Sequence, residues 1–193
     1  LYSSEKKINI VLIDYPAVSS TTERVNGFFD ALKFSKQKYK VVANFNAVEP
    51  VAGEAAGNEI LKKFPYKNSV DVVFTVNDGG GIKVIEVLKK AKRFEIKVAS
   101  VDGDPMALEF LKKSTLSVIN SAQFCSKLGE AAIDFGIKLL NGETIPKKVL
   151  IPTFPVTKST FSKYKGWYGD IPSSFIMPWT KSLMWKNKYI TKD

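Results

Sequence analysis

The chain has 193 residues, 45% of them hydrophobic and 25% charged, a profile that excludes wholesale disorder and fits one well-buried α/β domain or a domain with additions. Its formal charge of +10 comes almost wholly from lysine, since Arg24 and Arg93 are the only arginines, and it holds no histidine and a single cysteine, Cys125. This removes histidine-based triads, His-rich metal sites and an internal disulfide, and few arginines with lysines scattered along the chain argue against a nucleic-acid partner.

In chain order, the first apolar run is Ile8 to Asp14, followed by an amphipathic stretch over Thr22 to Lys36. The pattern repeats as Lys40 to Phe45 with Val51 to Phe64, Val70 to Val76 with Gly80 to Ala91, Ile96 to Asp102 with Pro105 to Lys113, and Leu116 to Ala122 with Ser126 to Leu140. The short runs are nearly continuous in Val, Ile, Ala and Phe rather than alternating, as strands covered on both faces are. The longer ones carry an apolar and a charged face, as Phe28, Leu32 and Lys33 illustrate. The order βαβαβαβαβα predicts a doubly wound, mainly parallel sheet with helices on both faces and right-handed crossovers. Asn141-Gly142 closes the last helix.

Lys148 to Phe154 reads as one more strand, and residues 155 to 193, with all three tryptophans (Trp167, Trp179, Trp185), as an irregular aromatic tail that wraps over a surface of this protein or of a partner. Residues 1 to 7 hold no apolar signal core, and no segment approaches the ~18 to 20 apolar residues of a membrane span, so an export signal would lie upstream.

In an open parallel sheet, ligands bind beyond the carboxyl ends of the strands. There the sequence places Asp14-Tyr15 with Ser19 to Thr22 and Glu23-Arg24, then Asn44 and Asn46, Asn77-Asp78, Asp102-Gly103-Asp104, and Asn120, Ser121 and Gln123. This rim of amides, carboxylates and one arginine has no nucleophile-base pair. It matches a ligand whose groups both donate and accept hydrogen bonds, a sugar or polyol, and calls for no metal or cofactor. Each motif has a plainer reading. Asp102-Gly103-Asp104 is equally a turn and an N-cap; Asn77-Asp78-Gly79-Gly80-Gly81 is equally a strand-to-helix turn or a phosphate cradle, without the spacing of nucleotide-binding loops. Arg24 could pair with Glu23 or Asp30, and Cys125 reads as a packing residue.

Taken in order, Glu23-Arg24-Val25-Asn26-Gly27-Phe28, Val73 to Asp78, Val101 to Pro105, Ser117 to Gln123 with Gly129, Leu140 to Glu143 and Pro155 to Lys158 resemble the ribose and galactose type of periplasmic sugar-binding protein, the soluble receptors of ABC importers, and the related sensor domains of sugar-responsive repressors. The resemblance implies that Arg24 reaches sugar oxygens, that Asn77 and Asp102 bind adjacent hydroxyls, that Gln123 is the hinge-side glutamine and that Phe45 stacks on the ring. Gly79-Gly80-Gly81 departs from the family's helix formers and would loosen that helix start.

It also implies an organisation: residues 1–123 form the second, sugar-binding lobe, 124–146 a hinge and a helix that packs on a first lobe missing from this sequence, 147–160 a returning strand and 161–193 the tail. The helix face of Leu128, Ala131, Ala132, Phe135 and Leu139 would then be bare and would call for the missing lobe or another polypeptide as partner. The implied function is non-catalytic: a monosaccharide or polyol is held between lobes, and the closed form is read by the membrane permease of an ABC transporter or by a signalling partner. The implied location is periplasmic, or extracellular and membrane-attached. Two other readings share the fold: the effector domain of a repressor, though no helix-turn-helix is present, and a small α/β enzyme using Asp102 or Asp78 as a base.

Overall fold

Both faces of the first strand, β1 (Ile8–Asp14), are buried: Val11 and Ile13 join one hydrophobic cluster, and Ile8, Ile10 and Leu12 another. A strand of this kind needs a covering layer on each side, and the chain supplies two. The computed structural model describes residues 6–113, 115–172 and 190–192, and the chain falls into two compact units, Leu1–Asn120 and Ser121–Asp193.

The first unit runs β1, α1 (Ser19–Phe34), β2 (Tyr39–Asn46), α2 (Pro50–Lys63), β3 (Val72–Thr75), α3 (Asp78–Lys90), β4 (Lys97–Asp102) and α4 (Pro105–Lys113), and β5 (Ser117–Ala122) carries the chain into the second. Strand order is β2-β1-β3-β4-β5. β1 lies parallel to β2, with Ile8 opposite Tyr39 and Asp14 opposite Asn46, and parallel to β3, with Ile10 opposite Val72; β3 and β4 are parallel as well. This is the doubly wound α/β arrangement expected, and its order reverses between β1 and β3.

On one face, Val25, Phe28, Phe29 and Leu32 of α1 pack against Ile10, Leu12, Phe74 and Val101, with the Phe28 and Phe74 rings stacked at 4.3 Å. On the other, Ala56 and Ile60 of α2 and Val84, Ile85 and Leu88 of α3 cover Val11, Ile13, Val73 and Val98. The glycines set how closely α2 and α3 cross. A Cβ on Gly53 would stand 2.3 Å from the Gly80 carbonyl oxygen, and one on Gly80 would stand 2.1 Å from the Ala47 oxygen. The run Gly79-Gly80-Gly81 therefore does not loosen the start of α3. It lets the helix sit against its neighbours' backbone, and Asn77 caps it through Oδ1, which accepts from Gly80 N at 3.2 Å.

In this first unit most boundaries lie close to those read from the sequence, with two differences. α1 begins at Ser19, so the Ser/Thr cluster forms its first turn rather than a free part of the rim: Thr21 Oγ1 donates to the carbonyls of Tyr15 and Val18, and Thr22 N donates to Val18 O at 3.2 Å. β3 is shorter than the apolar run, although Asp71 still bonds both neighbours, its N to Asn9 O and its O from Lys97 N, each at 2.9 Å. Arg93 ties the connections before β3 and β4 together, donating to Phe64 O at 2.7 Å, Tyr66 O at 3.1 Å and Glu95 Oε1 at 2.5 Å.

The second unit holds α5 (Cys125–Leu140), β6 (Lys148–Leu150), β7 (Phe154–Val156), a 3-10 turn at Phe161–Lys163 and β8 (Ile190–Lys192), which pairs antiparallel with β6. The single strand expected over Lys148 to Phe154 is two strands, interrupted where Pro152 offers no backbone donor. The start of the tail folds onto its own unit. Tyr164 is buried against Phe124 and Phe154, and its hydroxyl donates to Gln123 O at 2.6 Å; Trp167 O accepts from Ser126 N at 3.1 Å. Trp179 and Trp185 lie outside the described residues. Of the helix face expected to be bare, Leu128, Ala132 and Leu139 are exposed, Phe135 is half-buried and Ala131 is buried; Ile133, Ile137 and Leu140 add further exposed apolar surface.

Candidate functional site

The reversal in strand order brings the carboxyl ends of β1, β3 and β4 side by side, and the helix after each begins there. Arg24, in the second turn of α1, reaches across to β3 and β4. Its Nη1 donates to Val76 O at 2.6 Å and lies 3.0 Å from Asp102 Oδ1. Both side chains of this ion pair remain 23% exposed, so the pair is anchored in the fold yet reachable from outside.

Asp102, the last residue of β4, sits at φ 124°, a left-handed value uncommon for a residue with a side chain. Strain of this sort costs of order 1–3 kcal/mol and persists only where surrounding bonds enforce it. Here they do. Asp102 Oδ2 accepts from Asp78 N at 3.2 Å, while Asp78 Oδ2 accepts from the next two amides of the turn, Gly103 N at 3.0 Å and Asp104 N at 2.8 Å. Gly103 also has positive φ, and Asp104 caps α4, its Oδ1 accepting from Met106 N at 2.7 Å. The turn-and-cap reading of this motif and its place on the rim are thus both realised.

Asp78 itself is only 1% exposed. Asn120 Nδ2 donates to both of its oxygens, at 2.8 and 2.9 Å, and lies 2.9 Å from Ser100 Oγ. Burial pushes the Asp78 carboxyl up from 3.8 to about 6, opposed by these donors from Asn120, Asp104 and Ser100 and assisted by the Asp102 charge. Asn120 is therefore not a rim group, as its place at a strand end suggested. It is fully buried, and its Oδ1 has no hydrogen-bond partner in the structure described. The sequence signal for this interior carboxyl-amide pair was an asparagine inside an apolar run, Val118-Ile119-Asn120, because a polar group buried in a strand must find a partner.

Three of the five expected ligand residues, Arg24, Asn77 and Asp102, come together. Asn77 is half-buried and already committed twice, as the cap of α3 and through Nδ2, which donates to Val48 O at 2.8 Å. Phe45, next to last in β2, is half-buried and packs against the cluster beneath α2 and α3. Gln123 belongs to the second unit, where its carbonyl holds Tyr164. Among the described residues there is no group of His, Cys, Asp or Glu fit to hold a metal ion.

The arrangement is a rim of fixed donors and acceptors with no nucleophile beside a base. A ligand hydroxyl can accept from the guanidinium while donating to the carboxylate, so adjacent hydroxyls suit the Arg24–Asp102 pair well. Residues 2–144 match the model of the periplasmic binding protein domain, and the chain belongs to that family. The family is one of non-catalytic, sugar-binding proteins of the ABC-transporter type, periplasmic or extracellular in location.

A solved ABC transporter solute-binding protein from Agrobacterium vitis with bound allitol superposes with a TM-score of 0.73 at 26% identity, over 81% of this chain and 56% of that one. A periplasmic solute-binding protein from Actinobacillus succinogenes 130z with bound D-allose gives a TM-score of 0.73 at 24% identity, over 83% and 56%. A Rhizobium meliloti protein named "Putative rhizopine-binding protein" is 31% identical over 98 residues, 50% of this chain and 31% of that one. The chain thus spans about half the length of the solved relatives and a smaller share of the curated one.

Proposed function

We propose that this chain supplies the ligand-gripping lobe of the solute-binding component of an ABC-type importer, and that it holds a monosaccharide or a related polyol without altering it. The observation that carries this is the Arg24–Asp102 pair, partly exposed at the point where the strand order reverses and flanked by Asn77. The bound allitol and D-allose of the structural relatives are ligands of the kind such a pair accommodates.

In this reading the ligand's remaining hydroxyls are held by a further segment or chain, for which the exposed Leu128, Ile133, Ile137 and Leu139 of α5 offer an apolar seat. Closure around the ligand, rather than binding by one lobe alone, supplies the signal that a permease or a sensor reads. The protein is delivered outside the cytoplasm and held at the membrane.

Calorimetric titration with D-allose, allitol, D-fucose, D-arabinose and a rhizopine tests the reading. Saturable binding of at least one neutral polyol, weakened by Arg24→Ala and by Asp102→Ala, is the expected result. Heats indistinguishable from dilution for the whole panel, or equal affinity in both variants, would overturn it.

A further inference from the structure

The lysines look scattered only along the sequence. In a parallel α/β unit every helix ends beside the start of the next strand, so α1 to α4 all finish at the edge of the sheet opposite the ligand rim. There α2, α3 and α4 end in Lys62-Lys63, Lys89-Lys90 and Lys112-Lys113, all exposed. The connections add more: residues 33–40 hold four exposed lysines and no acidic residue, and Lys67 and Lys92 follow in the next two links. The acidic groups at this pole are engaged, Asp71 with Lys6 at 2.6 Å, Glu95 with Arg93 at 2.5 Å, and Glu59 and Glu109 with the pole's own Lys62 and Lys113 at 3.7 and 2.7 Å, which leaves the lysines in excess. The opposite end carries Asp14, Asp78, Asp102 and Asp104, so the first unit is polarised in charge along its strands.

Helix dipoles account for a cation in each last turn. They do not account for lysines in the connections, nor for a second feature of the same pole. Phe34, closing α1, is 70% exposed; Tyr66, before β3, is 79% exposed; Phe94, before β4, is 44% exposed. Each lies in or beside one of the lysine-bearing segments, and Arg93 holds two of those links together through Phe64 O and Tyr66 O. Exposed aromatic rings among lysines, on a rigid base, suit a bilayer interface: rings enter at headgroup level while ammonium groups stay beside lipid phosphates. No helix among the described residues is long and apolar enough to cross a membrane.

We infer that this pole, built from the ends of α1 to α4, is a docking surface for an anionic lipid bilayer. The inference is independent of which solute the rim binds. It is tested with the full chain by co-sedimentation with phosphatidylcholine vesicles and with vesicles carrying about a quarter phosphatidylglycerol, at low and high salt. The expected result is binding to the anionic vesicles alone, falling at least tenfold between about 50 and 500 mM salt. The charge-reversed variant Lys62→Glu/Lys67→Glu/Lys90→Glu should lose at least tenfold in binding. Phe34→Ser/Tyr66→Ser/Phe94→Ser, which leaves the charge unchanged, should lose severalfold, and thermal melts should show both variants folded. Arg24→Ala, at the other end, should bind vesicles as the parent does. Equal binding to neutral vesicles, no binding to either, or full binding by the charge-reversed variant would overturn the inference. So would capture of single-stranded nucleic acid as tight as that of anionic vesicles with no loss in the aromatic variant, which would mark the pole as a general trap for polyanions.

Discussion

Asp78 Oδ2 accepts from the backbone amides of both Gly103 and Asp104, so a buried carboxylate at the start of α3 shapes the turn on which Asp102 stands. Backbone amides, the Asn120 amide and the Ser100 hydroxyl do not fully offset its burial, and the cost appears in the proton affinity of Asp78, raised to about 6.

That shift makes stability depend on pH with a definite sign. Between pH 4 and 6 the folded protein keeps a proton on Asp78 that the unfolded chain has released, so Asp78 makes the fold progressively less stable as pH rises through that window. Above it the ionised group costs about 3 kcal/mol; below pH 4 both states are protonated and the effect levels off. Asp78→Asn keeps the shape and one acceptor, and a turn of the Asn120 amide can bring its unpartnered Oδ1 to the new donor. Urea denaturation at pH 4, 5, 6 and 7 should show the variant gaining on the parent by about that amount from pH 4 to 7.

Arg24 and Asp102 should matter more for affinity than for folding, since both stay partly solvated and a charged hydrogen bond contributes about 1.5 to 3 kcal/mol. Arg24→Ala and Asp102→Asn are each expected to weaken polyol binding at least tenfold by calorimetry. Arg24→Lys should not restore it: Nη1 is committed to Val76 O and Asp102, and an ammonium lacks the guanidinium's further donors, which a ligand hydroxyl would use.

Asn77 has two roles that substitutions can separate. Asn77→Ala removes the α3 cap and should cost about 1 kcal/mol in stability besides any loss of affinity. Asn77→Asp keeps the cap and loses the donor to Val48 O, so a variant that melts near the parent but binds poorly would place the amide on the ligand.

Gly80→Ala places a methyl 2.1 Å from the Ala47 carbonyl oxygen, and backbone there cannot yield as a side chain would. A loss of about 3 kcal/mol in denaturant titrations is expected, the upper range for overpacking. Gly129→Ala, where an added Cβ meets nothing within 4 Å, is the matched control and should change stability little.

The layout of strands and helices was legible because β1, β3 and β4 are buried on both faces and so read as unbroken apolar runs, between helices whose apolar stripes face inward. The Arg24, Asn77 and Asp102 group was legible too, since a parallel sheet gathers strand ends. What depended on three-dimensional partners was not. Phe45 stands near a strand end like a rim residue, yet it packs, half-buried, against the cluster beneath α2 and α3. Asn120 belongs to the interior because Asp78, at the start of α3, and Ser100, inside β4, meet it there. The triple glycine reads as slack in one dimension and as a tight seam in three. The lysines, far apart in sequence, share a pole only once the crossovers are drawn.

The seam between Gly53 and Gly80 has a mechanical corollary. With no atoms to spare at the crossing, neither helix can shift without taking the other along, and the capped end of α3 is the part of the rim that carries Asn77. On the proposed reading, a solute bonded to that amide would meet the stiffness of two helices rather than of one loop, and the rim would act as a single jaw and not as separate fingers.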